Sequence, residues 1–450
     1  MRRYTYIYIM CLLAGAALVA AACSGSSEAA TTSPAVEPEA PEPVAFDTPT
    51  IVSDFNASPT RAPYGHIDND SLQKWDPNHG PGIGFGVFGC YTGLHKYTDS
   101  NVQPNFMYNE HVWFDKQSAD ANPHGTNLWQ YEPVKYWPNG EGNTLPDGTG
   151  TTLPSVSPED TNNGETGEYN HYVSFFAYAP WSNNDSSDPD ANPWGYCIPT
   201  FSYQHEIANP WLTYRLHPKL KKQVDLLSAI PLIDRVKPQQ TERLPFQFQH
   251  ALSCVAHVLS VRCSDTMKEN LLSRIGTDVS KMQVKITSLK IDYELTEHGR
   301  LIMWRHDAPY WEPILSGDYM TTRSVDYYTD LIAGDGKTDL VYDTDGSASL
   351  WVDDTKGVYY IPTHHGHHRQ TATISMTFQI IRYAAADPST PIVEWSRRLS
   401  TTLTLSDYVD AYQPSHCLNL GLIIDENTLS LVASIDDWDS GSVHDQIVAQ

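Results

Sequence analysis

Thr371-Ala372-Thr373-Ile374-Ser375-Met376-Thr377-Phe378-Gln379-Ile380 decides the fold class, because polar and apolar residues alternate through it without a break. Successive side chains of a β-strand point to opposite faces. A period of two therefore gives one apolar and one polar face, the pattern of a half-buried antiparallel strand. The same alternation recurs in Leu418, Leu420, Leu422 and Ile424. After Asp425-Glu426-Asn427-Thr428 it resumes in Leu429, Leu431, Ala433 and Ile435, which predicts a hairpin. Leu289, Ile291, Tyr293 and Leu295 are out of phase with Val284 and Ile286, so a bulge or break is expected near Thr287-Ser288. Asp343-Thr344-Asp345-Gly346 and Asp353-Asp354-Thr355-Lys356-Gly357 carry turn chemistry. Helical periodicity is weak, with residues 265–280 and 224–233 the moderate candidates. Many short strands and few helices predict an all-β chain built of antiparallel β-sandwiches.

The amino-terminal region reads as an address followed by a cut site. Met1-Arg2-Arg3 precedes apolar residues 7–22, a stretch too short and too rich in small residues to make a stable membrane span. Ala20-Ala21-Ala22 directly before Cys23 fits a lipoprotein signal-peptidase site. Residues 1–22 are thus expected to be a signal peptide, with the Cys23 thiol receiving lipid, palmitate included, that holds the chain to a membrane. Residues 23–46 consist largely of Ser, Glu, Ala, Thr and Pro and predict a disordered tether. Ile51-Val52-Ser53-Asp54-Phe55-Asn56-Ala57 predicts one short strand, and Ser58-Pro59-Thr60-Arg61-Ala62-Pro63 a loop that presents Arg61 to solvent. The next arginine is Arg215. A protease cutting between Arg61 and Ala62 would release the anchor together with one strand; an ordinary surface arginine is the alternative reading.

With 29 Lys and Arg against 54 Asp and Glu, the formal charge is -25, which makes nucleic acid and anionic membrane surfaces poor partners. Apart from Cys11 and Cys23, the cysteines are Cys90, Cys197, Cys254, Cys263 and Cys417, an odd set with no CxxC pair. An exported compartment permits disulfides, but this spacing is neither a disulfide scaffold nor a zinc ribbon. The length suggests two domains, or three. Polar, proline-bearing Pro238-Gln239-Gln240-Thr241-Glu242 places them at 47–236 and 237–450. Residues 139–170 and 182–193 lack an apolar pattern and are read as exposed loops.

Few motifs point to chemistry. His364-His365-Gly366-His367-His368 is the densest ligand set and is read as a solvated loop. Asp335, Asp339, Asp343, Asp345, Asp353 and Asp354 look calcium-like, but Val341 stands where an EF-hand needs its first ligand. Gly334-Asp335-Gly336-Lys337-Thr338 is a hairpin turn, since Leu331 occupies the first glycine position of a phosphate loop. No G-x-S-x-G or H-E-x-x-H occurs. No catalytic residue, metal site or cofactor is therefore expected, and the chain is read as a non-enzyme. Trp129, Tyr131, Tyr136, Trp137, Phe175, Phe176 and Tyr178 are expected as packed aromatics and His250 as a hydrogen-bonded core histidine. Twelve tryptophans motivate one alternative, a surface glycan-binding lipoprotein that does not polymerise.

Several runs occur in a telling order. They are Phe85-Gly86-Val87-Phe88-Gly89, Phe106-Met107-Tyr108-Asn109, Trp129-Gln130-Tyr131-Glu132-Pro133-Val134-Lys135-Tyr136-Trp137-Pro138 and Val173-Ser174-Phe175-Phe176-Ala177-Tyr178-Ala179-Pro180. Val224-Asp225-Leu226-Leu227-Ser228-Ala229 and Phe246-Gln247-Phe248-Gln249-His250-Ala251-Leu252-Ser253 follow. This series resembles the fimbrillin family, the lipoprotein subunits of type V pili of Bacteroides-type bacteria. The resemblance implies two transthyretin-like β-sandwich domains in tandem, an outer-membrane or cell-surface location, processing by an arginine-specific protease and polymerisation with other pilus subunits by strand exchange, serving adhesion to a host or bacterial surface glycan or protein. Losing the strand around residues 51–57 would open a groove in the first domain. The candidate donor is the hairpin carrying Leu418, Leu420, Leu422, Ile424, Leu429, Leu431 and Ile435, or the tail at 443–448. Only twelve residues follow Trp438, so the expected roles include a tip or capping subunit.

Overall fold

In the computed structural model, the alternating stretch lies in strand Thr371–Ala384, which pairs antiparallel with Lys281–Thr296 on one side and Asp387–Thr404 on the other. Ala372, Ile374, Met376, Phe378 and Ile380 are fully buried, and the intervening polar residues are only partly covered. The structure describes residues 42–51, 65–73, 83–93, 95–115, 129–138, 171–238, 242–275, 280–305, 308–314, 320–329, 338–346, 351–354, 357–363, 369–407, 414–437 and 443–449. Strand Lys281–Thr296 absorbs its phase change through a register shift between Ile286 and Ser288. Met282, Val284 and Ile286 before the shift and Leu289, Ile291, Tyr293 and Leu295 after it therefore all turn inward.

The expected hairpin forms from His416–Ile424 and Leu429–Asp437, with Leu418 opposite Ile435 and Ile424 opposite Leu429. The amide of Asp425 closes the turn onto the Thr428 carbonyl at 2.9 Å. Ser253–Cys263 runs parallel to His416–Ile424, and Val443–Ala449 adds to the far side of Leu429–Asp437 as the last strand of this sheet among the described residues. Helix Asp265–Ile275 follows Ser264, whose hydroxyl accepts from the Met267 amide, and buries Met267 and Leu271. The second helix-patterned segment, 224–233, holds strands Leu227–Ala229 and Leu232–Arg235 instead. Pro231 lies inside it and offers no amide hydrogen to a helix, while pairing with Gln247–His250 and Tyr172–Ala179 satisfies the backbone as strand.

The sheet nearest the amino-terminal region runs in the order Thr50–Ile51, Gln247–His250, Leu227–Ala229, Tyr172–Ala179, Phe85–Gly93, Met107–Phe114, Trp129–Gln130. Its two central strands are covered on both faces, which explains their near-continuous apolar sequence. Phe85, Val87, Phe175 and Ala177 join one core cluster, and Phe88, Cys90, Phe176 and Tyr178 join a second. That second cluster continues through Leu212 and Tyr214 into Ile291, Ile374 and Leu420. The strand pairing does not stop at residues 237–243. Trp211–Arg215 pairs with His298–Arg305, Gln247–His250 belongs to the sheet of the preceding half, and Pro41–Gln450 forms one compact unit.

One stretch assigned by composition to the tether is ordered. At residues 42–46, Pro43 bridges Tyr136, Phe46 bridges Leu244, and Val44 and Phe46 are fully buried. The alternation Val44-x-Phe46 is short and adjoins prolines, so the composition of its surroundings hid it. Of the strand expected over 51–57, Thr50–Ile51 is seen as strand, and residues 52–57 lie outside the described ones.

Candidate functional site: a groove filled by residues 42–51

Residues 42–51 lie between two backbone segments and bond to both. On one side the Val44 amide donates to the Lys135 carbonyl at 2.8 Å and the Trp137 amide donates to the Glu42 carbonyl at 2.9 Å. On the other, the Leu244 amide donates to Ala45, the Asp47 amide to Leu244 and the Thr50 amide to Phe246, at 2.8, 3.0 and 3.0 Å. The segment is antiparallel to its neighbour at Tyr136 and parallel to the strand at Gln247 and Phe248.

Apolar anchors point down from this backbone. The Phe46 ring stacks on Phe246 at 5.8 Å and meets the edges of Phe85, Tyr131 and Phe175 at 6.0, 5.5 and 6.4 Å. Val44 and Ile51 enter the same cluster. The Tyr131 hydroxyl donates to the Val44 carbonyl at 2.7 Å and the Trp129 indole to the Thr48 hydroxyl at 3.3 Å. Burial pushes the Tyr131 phenol well above its ordinary value, so it stays a donor at any physiological pH. At the end of the segment, the Ile51 amide donates to the side chain of Asn69, in helix Asn69–Leu72.

The chain is pinned again at residues 65–67. The Asp225 amide donates to the Gly65 carbonyl at 3.1 Å, and the Asp225 carboxylate accepts from the amides of Ile67 at 3.2 Å and Leu226 at 2.8 Å. His250 Nδ1 lies 2.8 Å and His66 Nδ1 3.5 Å from the same carboxylate. Burial alone would raise the Asp225 carboxyl. The imidazoles of His250 and His66 outweigh it and hold the group well below the ordinary carboxylate range. His66, Asp225 and His250 bring their ligand-type atoms within 4.8 Å of one another. The two rings stack nearly parallel, 15° apart with centroids at 5.1 Å. The Asp225 carboxylate thereby acts as a staple across three chain segments.

Gly65 makes the staple possible. Its φ is +77°, and a Cβ there would sit 1.9 Å from the Gln223 carbonyl oxygen. Gly65→Ala is expected to cost at least about 1–2 kcal/mol, from the left-handed backbone alone. A urea denaturation midpoint would read the loss, and an unchanged midpoint would contradict this geometry.

Cys23, Arg61, Ala62 and the histidines of 364–368 lie outside the described residues. Leu418, Leu420, Leu422, Ile424, Leu429 and Leu431 are buried in this chain's own core, and Ile435 is paired in the same hairpin. Trp129, Tyr131, Trp137, Phe175, Phe176 and Tyr178 are buried as expected, whereas Tyr136 is 42% exposed. His250 is the expected hydrogen-bonded core histidine. Asp343 and Asp345 both engage the Lys281 ammonium, at 2.6 and 2.8 Å, which gives those carboxylates a cation of the protein's own. Sequence reasoning missed Val44, Phe46 and the Asp225 staple. The only available signals were the two-residue alternation at 44–46 and the pairing of a buried-pattern Asp with His250.

No protein-family model matches the chain. Over 301 residues it is 22% identical to the fimbrium subunit Fim1C of Phocaeicola vulgatus, a match covering 62% of this chain and 62% of that protein, less than two thirds of its length. This match bears out the resemblance to the fimbrillin family. Among solved structures, a candidate cell adhesion protein from Bacteroides uniformis aligns at 8% identity over 82% of this chain and 94% of its own, with a TM-score of 0.36. The tip fimbrial protein Mfa3 of Porphyromonas gingivalis, with C-terminal truncation, aligns at 8% identity over 79% and 99%, with a TM-score of 0.22. Scores this low fix no detail of topology.

Proposed function

We propose that this chain is a subunit of a cell-surface fimbria serving adhesion. In this reading it is made as a precursor anchored to the outer membrane through lipid on Cys23, cut between Arg61 and Ala62, and joined to other pilus subunits by strand exchange. The observation that carries the reading is the position of residues 42–51. They all precede Arg61, yet they fill a groove lined by Phe85, Tyr131, Phe175 and Phe246 and bond to the chain along both edges. Their loss would strip partners from the backbone of Lys135, Trp137, Leu244 and Phe246 and uncover the Phe46 pocket. Such a groove is a template for an incoming strand.

The donor is best assigned to Val443–Ala449. Among the described residues it is the edge of its sheet, whereas the hairpin of Leu418 and Leu431 could leave only by emptying its own core. A joint of this kind runs head to tail and builds an open filament. The reading assigns the chain no catalytic role.

Digestion of the purified chain with an arginine-specific protease tests the proposal. Cleavage confined to the bond after Arg61, loss of residues 42–51 and growth of denaturant-resistant oligomers are expected, with Arg61→Ala abolishing all three. Resistance at Arg61, or retention of 42–51 after the cut with no change in assembly, would sink it.

A further inference from the structure

Cys254 lies in strand Ser253–Cys263 and Cys417 in strand His416–Ile424, and the two are Cα partners across the parallel pair. The two stand as thiols, without a bridge, in this structure, but neighbouring strands lie about 4.8 Å apart, inside the range of roughly 4.4–6.8 Å that a disulfide bridges between Cα atoms. Register partners in a parallel ladder project to the same face. Both side chains enter the same core cluster, Cys254 fully buried and Cys417 nearly so. Tyr359 is the Cα partner of Cys254 on its other side, which completes a row of three. None of the other cysteines among the described residues is placed this way. Cys90 faces Ser174, Cys263 faces Ile424, and Cys197 sits in helix Pro193–Cys197.

We propose that Cys254 and Cys417 form a disulfide when the chain folds in an oxidising compartment. The location, though not the pairing, rests on the exported reading above. Two S–H bonds break and one S–S bond forms. The two electrons and two protons pass to a disulfide-bearing oxidant, which is reduced to its dithiol. Because both sulfurs end up buried, the exchange takes place while the chain is still open, before the sheet closes over them. The bond ties the carboxy-terminal hairpin to Ser253–Cys263, so His416–Ile424 cannot leave as a donor strand and Val443–Ala449 can.

The full chain, reduced and denatured, would be refolded with reduced and oxidised glutathione, alkylated in denaturant, digested and mapped by mass spectrometry. A linked peptide pair containing Cys254 and Cys417, two hydrogen masses lighter than the separate peptides, is expected, and Cys254→Ser should abolish it. Quantitative alkylation of both residues, or linkage of either to another cysteine, overturns the pairing. In parallel, chain recovered from the envelope of producing cells is alkylated directly, an arm that decides the matter alone if refolding fails. A link formed on refolding but absent from envelope-derived chain overturns the proposal that the bond forms when the chain folds in the cell.

Discussion

Replacing Phe46 with alanine is expected to lower the stability of the uncut chain by about 3–5 kcal/mol, the range for truncating a buried aromatic. The effect should be large because Phe46 is fully buried against Phe85, Tyr131, Phe175 and Phe246. Phe46→Leu keeps much of the apolar volume and should cost less. Urea unfolding of the three proteins reads the series. The same substitution should leave chain already cut after Arg61 and freed of residues 42–51 unaffected, since the ring is gone. A loss under about 1 kcal/mol in the uncut protein would mean that the segment contributes little to the core.

Asp225→Ala is expected to cost a comparable amount, about 3–5 kcal/mol, because it removes one member of a buried, hydrogen-bonded charge network. The amides of Ile67 and Leu226 and the imidazole of His250 would each lose this carboxylate as acceptor. The staple also has a pH signature. The carboxyl is held below its ordinary value of 3.8, so the folded chain binds its proton less readily than the unfolded chain. Its contribution is full above that ordinary value and is lost as the pH falls below it towards the native value. Stability measured from pH 6 down to pH 2 should decline below about pH 4, and Asp225→Asn should flatten that part of the curve. An identical acid limb in the variant would remove Asp225 from the account.

What was legible in the sequence was local. Residues 371–380, the phase change at 286–288 and the hairpin of 418–435 each carry their own period, and each appears in register where the pattern puts it. Val44 and Phe46 were not legible because two apolar positions make no pattern, and Pro41 and Pro43 beside them speak for a linker. Their burial is decided by Tyr136 and Leu244, far along the chain. The Asp225–His250 contact is hidden for the same reason: a pair separated by 25 residues leaves no periodic trace. The helical reading of 224–233 failed where neighbouring strands and Pro231 prevailed over an apolar spacing.

The parallel pairing of Thr50 with Gln247 and Ile51 with Phe248 also sets an order of events in time. A contact between residues about two hundred positions apart carries a loop-closure cost that local hairpins avoid, and such contacts form late. A chain that emerges amino terminus first therefore exposes Val44 and Phe46 long before residues 244–248 exist to receive them. The first strand among the described residues is among the last to find its place in the sheet.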